Sequence, residues 1–125
     1  MLRILLVSAR QEATHPLAEG LVSDPEVRLE QVSSGEAALG AVRTDSPHLV
    51  IIDSPLPDME PLHVVQKLLM VNAMVNTAVV SPLSDHEFHE ASEGLGVLAH
   101  LPLAPGKSDA AELLRRLRQV LGLSK

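Results

Sequence analysis

The segment L-V-I-I-D-S-P-L-P-D-M-E-P-L, residues 49–62, decides the fold. It opens with four consecutive aliphatic residues, Leu49–Ile52, and Asp53 follows them directly. A short apolar run of this kind predicts a central strand buried on both faces, as in a parallel sheet. A carboxylate at the end of such a run is costly to desolvate unless it is paired or used chemically. Asp53 is therefore the first candidate functional residue.

Four further segments have strand patterns. Ile4–Val7 and Ala78–Val80 are short apolar runs, and Val97–Leu101 is a weaker one. Val27–Val32 alternates apolar and charged residues, which is typical of a strand near the edge of a sheet with one wetter face.

Helical patterns separate these strands. We expect Pro16 in the first turn of the first helix, where proline is tolerated. Ser34, Ser84 and Ser108 are predicted N-caps of the second, fourth and fifth helices, and Ser84 forms a capping-box pattern with Glu87. The residues predicted to face inward on the third helix are Leu62, Val65, Leu68 and Leu69, and those on the fifth are Leu113, Leu114, Leu117, Val120 and Leu121.

Strand and helix thus alternate five times. With right-handed crossovers, this order predicts an α/β domain with a doubly wound, five-stranded parallel sheet. We expect the flavodoxin-like strand order 2-1-3-4-5 and one domain over residues 1–125. Ligands bind such sheets at the carboxyl ends of the strands, where the strand order reverses. Asp53 should therefore face Ser8 and Ala9, which follow the first strand.

The composition restricts the partners. A net charge of −6 and a pI near 5.4 argue against nucleic acid or a membrane as partners of this chain by itself. Phe88 is the single aromatic residue, so no platform for stacking bases exists. The absence of cysteine excludes disulfides and thiolate metal sites. A cytoplasmic location is the simplest expectation.

The sequence around Asp53 resembles the receiver domain of bacterial response regulators. Asp53 matches the phosphoacceptor aspartate of that family, Pro57 the proline four residues later, and Met59 and Glu60 the turn that follows. Further similarities cover essentially the whole chain: R-I-L-L-V at 3–7, S-S-G-E-A-A-L at 33–39 and V-V-S at 79–81.

The resemblance implies a (βα)5 fold and a two-component or phosphorelay signalling module rather than an enzyme. The only chemistry it implies is self-catalysed phosphoryl transfer and hydrolysis at Asp53, with Mg²⁺ bound beside it. Ser81 matches the switch Ser/Thr of the family, and His100 stands at the switch aromatic. His100 could also couple pH to the fourth helix; a packed edge-strand imidazole is the alternative.

The departures from the family pattern fall on the groups that make phosphoryl transfer possible. Ser8 and Ala9 replace the two acidic residues that hold Mg²⁺, and Leu103 falls at the position of the conserved lysine. Mg²⁺ needs hard oxygen ligands, usually including one or two carboxylates, so we expect weak or absent binding at Asp53. We therefore favour a phosphorylation-impaired protein-interaction domain. The alternative is a conventional receiver with Mg²⁺-dependent phosphorylation at Asp53.

Two residues could compensate for these losses. Arg10 could pair with Asp53 or with a phosphoryl group, because a guanidinium fork matches both. Glu12 could reach the site through water. In the alternative interpretation, both are solvated charges between a loop and a helix.

Protein partners, a histidine kinase or a downstream effector, are expected at the helices spanning Asp85–Ala91 and Ala111–Leu121. Arg115, Arg116 and Arg118, opposite the acidic residues of the first of these helices, also suggest a homodimer.

Two other site chemistries have weaker support. A hydrolase could use Ser8 or Ser81 with His100 and Asp53, but no G-x-S-x-G motif or Gly-rich oxyanion loop is present. His86 and His89 have a metal-ligand spacing, for which an exposed polar helix face is the simpler interpretation.

Overall fold

The computed structural model describes residues 1–123; Ser124 and Lys125 of the predicted domain lie outside the described residues. Within that range the strands are β1 (Leu2–Val7), β2 (Val27–Val32), β3 (Leu49–Ile52), β4 (Asn76–Val80) and β5 (Ala99–Leu101). All neighbouring strands pair in parallel, in the order β2-β1-β3-β4-β5. The predicted sheet and strand order are confirmed, including β2 as an edge strand.

Helices cover both faces of this sheet. They are α1 (Gln11–Val22), α2 (Gly35–Thr44), α3 (Pro61–Val71), α4 (Asp85–Ala91) and α5 (Lys107–Val120). The buried residues of α1 and α5 pack on one face, whereas those of α2, α3 and α4 pack on the other. The doubly wound α/β class is therefore confirmed. No helix among the described residues is long and apolar enough to cross a membrane.

The central strand β3 explains why the site lies where it does. All four of its side chains are fully buried, with Leu49 and Ile51 in one apolar layer and Val50 and Ile52 in the other. Burying an aliphatic side chain stabilises the fold by about 1.5–3 kcal/mol. These contacts fix the register of β3, and the register carries Asp53 to the edge where the strands end.

Three expectations about helices were wrong. Because α1 begins at Gln11, Pro16 lies inside the helix, where its ring removes one backbone donor. The N-cap of α5 is Gly106 rather than Ser108, and the Gly106 N–H donates to Asp109 Oδ2 at 2.8 Å. Val120 is 56% exposed, because it lies in the last turn, beyond Leu117, the last fully buried residue of α5.

The predicted caps of the other two helices are confirmed. Ser34 Oγ accepts a hydrogen bond from the Ala37 N–H at 3.1 Å. Ser84 and Glu87 form the capping box at the start of α4, each side chain accepting from the other's backbone N–H at 3.1 Å. The position of α4 is therefore fixed locally at its first turn.

A glycine sets the distance between α1 and α5. A Cβ at Gly20 would lie 2.7 Å from Ala110 Cβ and 3.0 Å from Lys107 Cα. Contacts this short require one helix to move, and a backbone atom cannot yield as a flexible side chain does. Gly20 thus holds α5 close to α1.

We expect Gly20→Ala to lower the free energy of unfolding by about 1–3 kcal/mol, because it overpacks this crossing. Gly40→Ala is the matched control: Gly40 also lies within a helix, but a Cβ there meets no atom within 4 Å. The control should be stabilised by about 0.5–1 kcal/mol through helix propensity. Urea unfolding of both variants measures the difference, and equal effects at the two positions would contradict the close packing.

Candidate functional site

The carboxyl ends of β1 and β3 lie side by side at the candidate site. Val7 pairs with Ile52 in the register, and the Asp53 N–H donates to the Val7 carbonyl at 2.8 Å. Ser8 and Asp53 are therefore direct neighbours, 1% and 0% exposed. The sequence predicted that Asp53 faces Ser8 and Ala9, and the structure shows the contact with Ser8.

The Asp53 carboxylate is held by Arg10. Arg10 Nε donates to Asp53 Oδ2 at 3.1 Å, and Arg10 Nη2 donates to Oδ1 at 2.7 Å. The guanidinium thus binds both carboxylate oxygens at once, the strongest and most specific form of this ion pair. Of the two compensating residues that the sequence suggested, Arg10 makes the predicted contact.

A hydroxyl network completes the surroundings of the carboxylate. Ser8 Oγ donates to Asp53 Oδ2 at 2.8 Å and accepts a hydrogen bond from the Arg10 N–H at 3.0 Å. Thr14, which is fully buried in α1, places its hydroxyl 3.3 Å from Ser8 Oγ. Each carboxylate oxygen therefore accepts at least one hydrogen bond, as a buried charge requires.

Arg10 also joins the site to the β5–α5 loop. Its Nη2 donates to the Leu103 carbonyl at 3.0 Å as well as to Asp53. The hydrogen bonds to Asp53 raise the pKa of the Arg10 guanidinium above its ordinary value, and they outweigh the opposing effect of burial. One charged side chain thus ties together the loop after β1, the end of β3 and the loop after β5. Leu103 contributes its backbone oxygen to this contact.

The donor set around Asp53 does not fit a Mg²⁺ site. A cation there would have one carboxylate, and the guanidinium already binds both oxygens of that carboxylate. Ala9 offers no side-chain oxygen, and Ser8 offers a neutral hydroxyl. Residues 1–123 contain no group of three His, Asp or Glu side chains arranged for a metal, so His86 and His89 also lack a third ligand there.

Ser81 and His100 form a second cluster, at the ends of β4 and β5. The Ser81 hydroxyl accepts a hydrogen bond from the Leu83 N–H at 3.1 Å, and its side chain is mostly buried. His100 stacks on Phe88 and contacts Asp85 and the Ser81 carbonyl. In the described part of the chain, no hydrogen bond joins either residue to Asp53.

The described residues show no contact that supports a role for Glu12 at the site or the hydrolase alternative. Glu12 is exposed in the first turn of α1, and its side chain makes no hydrogen bond with another described residue. A triad would need His100 beside Asp53 and a serine, but His100 pairs with Asp85 and Arg10 takes the place beside Asp53. Among the described residues, neither the Ser8 hydroxyl nor the Ser81 hydroxyl therefore contacts a histidine that could activate it.

Sequence reasoning missed two residues that shape the site. Thr14 carries no motif, because its role depends on the helix turn that brings it over Ser8. Asp58 accepts from the N–H groups of Gly35 and Glu36, both at 2.9 Å, and so ties the β3–α3 loop to the start of α2. An aspartate 22 residues away in sequence gives no local capping signal.

The fold can now be compared with known proteins. No protein-family model matches the sequence, and no curated protein is detectably similar to it in sequence. Many solved structures are similar to it in fold, including the following three. The chemotaxis response regulator CheY4 of Vibrio cholerae has a TM-score of 0.81 at 16% identity, over 94% of this chain and 98% of that one.

A CheY-like receiver domain protein from Methanospirillum hungatei has a TM-score of 0.84 at 19% identity, over 98% of both chains. The Francisella response regulator 1452 receiver domain has a TM-score of 0.83 at 12% identity, over 96% of this chain and 99% of that one. The chain has the receiver-domain fold. At these identities the similarity establishes the architecture alone, so the receiver chemistry depends on the site residues themselves.

The Arg10–Asp53 pair in this receiver fold is expected to couple the two residues energetically. Arg10→Ala and Asp53→Ala should each lower the free energy of unfolding. The loss in the double variant should be about 2 kcal/mol smaller than the sum of the two single losses. The reason is that Arg10→Ala leaves an unpaired carboxylate in a buried position. Urea unfolding of the four proteins gives this coupling, and additivity within about 0.5 kcal/mol would contradict it.

The hydrogen bonds that Asp58 accepts predict a pH dependence of the stability of the fold. Hydrogen bonds from the Gly35 and Glu36 N–H groups lower the pKa of Asp58 below its ordinary value of 3.8. A pKa that is depressed in the folded state stabilises the fold above the ordinary pKa, and this contribution is lost as the pH falls through the folded-state pKa. Asp58→Asn should therefore be less stable than the wild type at pH 6. As the pH is lowered, its stability should fall less than that of the wild type. Thermal unfolding between pH 6 and pH 2.5 tests this, and parallel curves would exclude it.

Proposed function

We propose that this chain is a signalling module on a receiver fold, in which Arg10 holds Asp53 in a permanent ion pair and phosphorylation is impaired. The observation that carries this proposal is the burial of Asp53: its side chain is 0% exposed beneath the guanidinium that binds both its oxygens. A phosphodonor needs an accessible carboxylate oxygen. In this chain, it gains access only when Arg10 moves.

The missing cations support the same conclusion. Phosphoryl transfer requires that the charge spread over the transferring group be offset. With Ser8, Ala9 and Leu103 at the positions of the acidic pair and the lysine, Arg10 is the cation that contacts Asp53. We expect weak or absent Mg²⁺ binding, and so a domain that acts through protein contacts rather than by catalysis.

The alternative, a conventional phosphoacceptor, also has one observation in its favour. Asp53 stands at the end of β3, where the resemblance places the acceptor, and an arginine fork can bind a phosphoryl group as well as a carboxylate. In that case Arg10 would leave Asp53 and hold the phosphoryl oxygens. The two functions differ in whether Asp53 is modified readily in the presence of Mg²⁺.

Partner proteins, a histidine kinase or a downstream effector, are proposed to bind through α4 and α5. A homodimer through the arginines of α5 has less support, because these arginines already form pairs within the chain. Arg115 and Arg116 contact Glu112, and Arg118 contacts Asp24 at 2.7 Å. A partner that recruits them must compete with these internal pairs. A cytoplasmic location stays a prediction.

The proposal is tested by incubating the protein with acetyl phosphate and Mg²⁺ and measuring its intact mass. We expect little or no addition of a phosphoryl group, because Asp53 is inaccessible and lacks Mg²⁺ ligands. Asp53→Asn is the control for modification at any other residue. Ready, stoichiometric modification that is absent from Asp53→Asn would overturn the proposal and establish the conventional function.

A restored variant shows whether the pocket itself is responsible. Ser8→Asp with Ala9→Asp and Arg10→Ala replaces the guanidinium with an acidic pair beside Asp53. Because a ligand that binds only the folded state stabilises it, millimolar Mg²⁺ should raise the Tm of this variant and leave that of the wild type unchanged. An equal rise in both proteins would show that the wild type already binds Mg²⁺.

A further inference from the structure

The strand β2 forms one edge of the sheet. In residues 1–123 it pairs with β1 alone, over all of its length and in an unbroken register. The opposite edge strand, β5, has three residues and is followed at once by Pro102, which has no backbone N–H to offer. β2 is twice as long, with 6 residues, and has neither a proline nor a bulge. A regular edge of this kind is open to pairing with another strand.

The backbone groups of alternate residues of β2 point to its open side. The Ser8 N–H of the neighbouring chain segment donates to the Val32 carbonyl at 2.9 Å. The even-numbered residues of β2 therefore turn their hydrogen-bonding groups toward β1, and the odd-numbered residues turn theirs outward. Leu29 and Gln31 thus each offer an N–H and a carbonyl at the edge. Val27 offers its carbonyl, because its N–H is bound at 3.1 Å to the loop before β2.

Two opposite charges lie on one face of this edge. Arg28 and Glu30 are both exposed, and neither forms an ion pair with another described residue. They border a hollow beside α2, together with Gly40 and Ala41. A Cβ at Gly40 would meet no atom within 4 Å, so α2 leaves room next to these charges. Leu29, between them in sequence, points to the other face and packs against the apolar layer there.

The edge is self-complementary about Leu29. When two β2 strands pair antiparallel around a two-fold axis at Leu29, Arg28 of each chain lies opposite Glu30 of the partner subunit. The two Leu29 residues then exchange both of their backbone hydrogen bonds, and the Gln31 N–H groups donate to the Val27 carbonyls. Arg28 and Glu30 fall at the non-hydrogen-bonded positions, where side chains on paired strands approach most closely. An ion pair therefore forms on each side of the axis.

The neighbouring registers are less favourable. An axis at Arg28 places two arginines opposite each other, and an axis at Glu30 places two glutamates opposite each other; like charges in these positions are destabilising. An axis at Val27 loses the N–H that is already bound within the chain. An axis at Gln31 brings Glu30 opposite the apolar Val32 and makes no charge pair. The charge pattern thus selects the axis at Leu29.

We propose that β2 is a self-association edge, through which two copies of this chain pair antiparallel about Leu29 and join their sheets into one. Such a contact is isologous and closes as a two-fold dimer. It lies apart from Asp53 and from α4 and α5, so the inference goes beyond the proposed function and does not depend on it. Because an edge-to-edge contact buries little area, we expect a weak dimer with a Kd of roughly 0.1 mM.

Sedimentation equilibrium at protein concentrations up to about 1 mM measures this association. Arg28→Glu and Glu30→Arg each bring like charges together and should each weaken the dimer about tenfold. The double variant exchanges the two charges, restores both ion pairs and should dimerise within about threefold of the wild type. Lys67→Glu makes the same charge change as Arg28→Glu at an exposed position of α3, and this control should leave the dimer unchanged.

The variants also separate pairing from general repulsion. Glu30→Arg reduces the net charge of −6, so weaker association in that variant has to come from the pairing itself. In an equimolar mixture, Arg28→Glu and Glu30→Arg present opposite charges to each other and should form a heterodimer more tightly than either forms a homodimer. A wild type that stays monomeric at about 1 mM would overturn the proposal. So would single variants that dimerise as the wild type does, which would place the contact on another surface, or a mixture that gains no association.

Discussion

A buried carboxylate at the end of an apolar strand must find a positive partner, and in this protein that requirement organises the site. Asp53 has no exposed surface, and its charge would be strongly unfavourable there without compensation. Arg10 supplies the compensation from the loop after β1, and Ser8 and Thr14 satisfy what remains. Because the same guanidinium also reaches the Leu103 carbonyl, the charge of one aspartate determines how three loops meet.

The charge of the Asp53 pocket is balanced by residues of the chain itself. The charges of Asp53 and Arg10 cancel each other, and Ser8 and Ala9 beside them are neutral. No external cation is therefore needed to offset the charge of Asp53. A pocket with three carboxylates repels itself when it is empty and attracts a divalent ion. Neutral residues at positions 8 and 9 and the pairing of Asp53 with Arg10 are therefore two parts of one electrostatic arrangement: an arginine beside three carboxylates would leave excess negative charge, and Ser8 and Ala9 without Arg10 would leave Asp53 unpaired.

The sequence predicted the parts of this structure that depend on local pattern. The bounds of β2 and β3 followed from hydrophobic periodicity, and the caps at Ser34 and Ser84 from the residues that cap helices. Pro16 was misplaced because α1 begins at Gln11, directly after Arg10, and so contains a full turn before Pro16. Asp58 and Thr14 were missed because their partners are brought together by the fold. The Arg10 contact was identified as one of two alternatives, since sequence alone does not show whether a loop arginine turns inward.

The two clusters at this end of the sheet differ in the contacts that hold them. A guanidinium stays charged throughout the accessible pH range, and its pairing with Asp53 raises the pKa of Arg10 still further. The cation that joins the loop after β1, the end of β3 and the β5–α5 loop therefore keeps its charge. In the second cluster, His100 stacks on Phe88 and stands between β5, the Ser81 carbonyl and the first residue of α4. Among the described residues, no hydrogen bond joins His100 or Ser81 to Asp53, so the two clusters are held by separate sets of contacts.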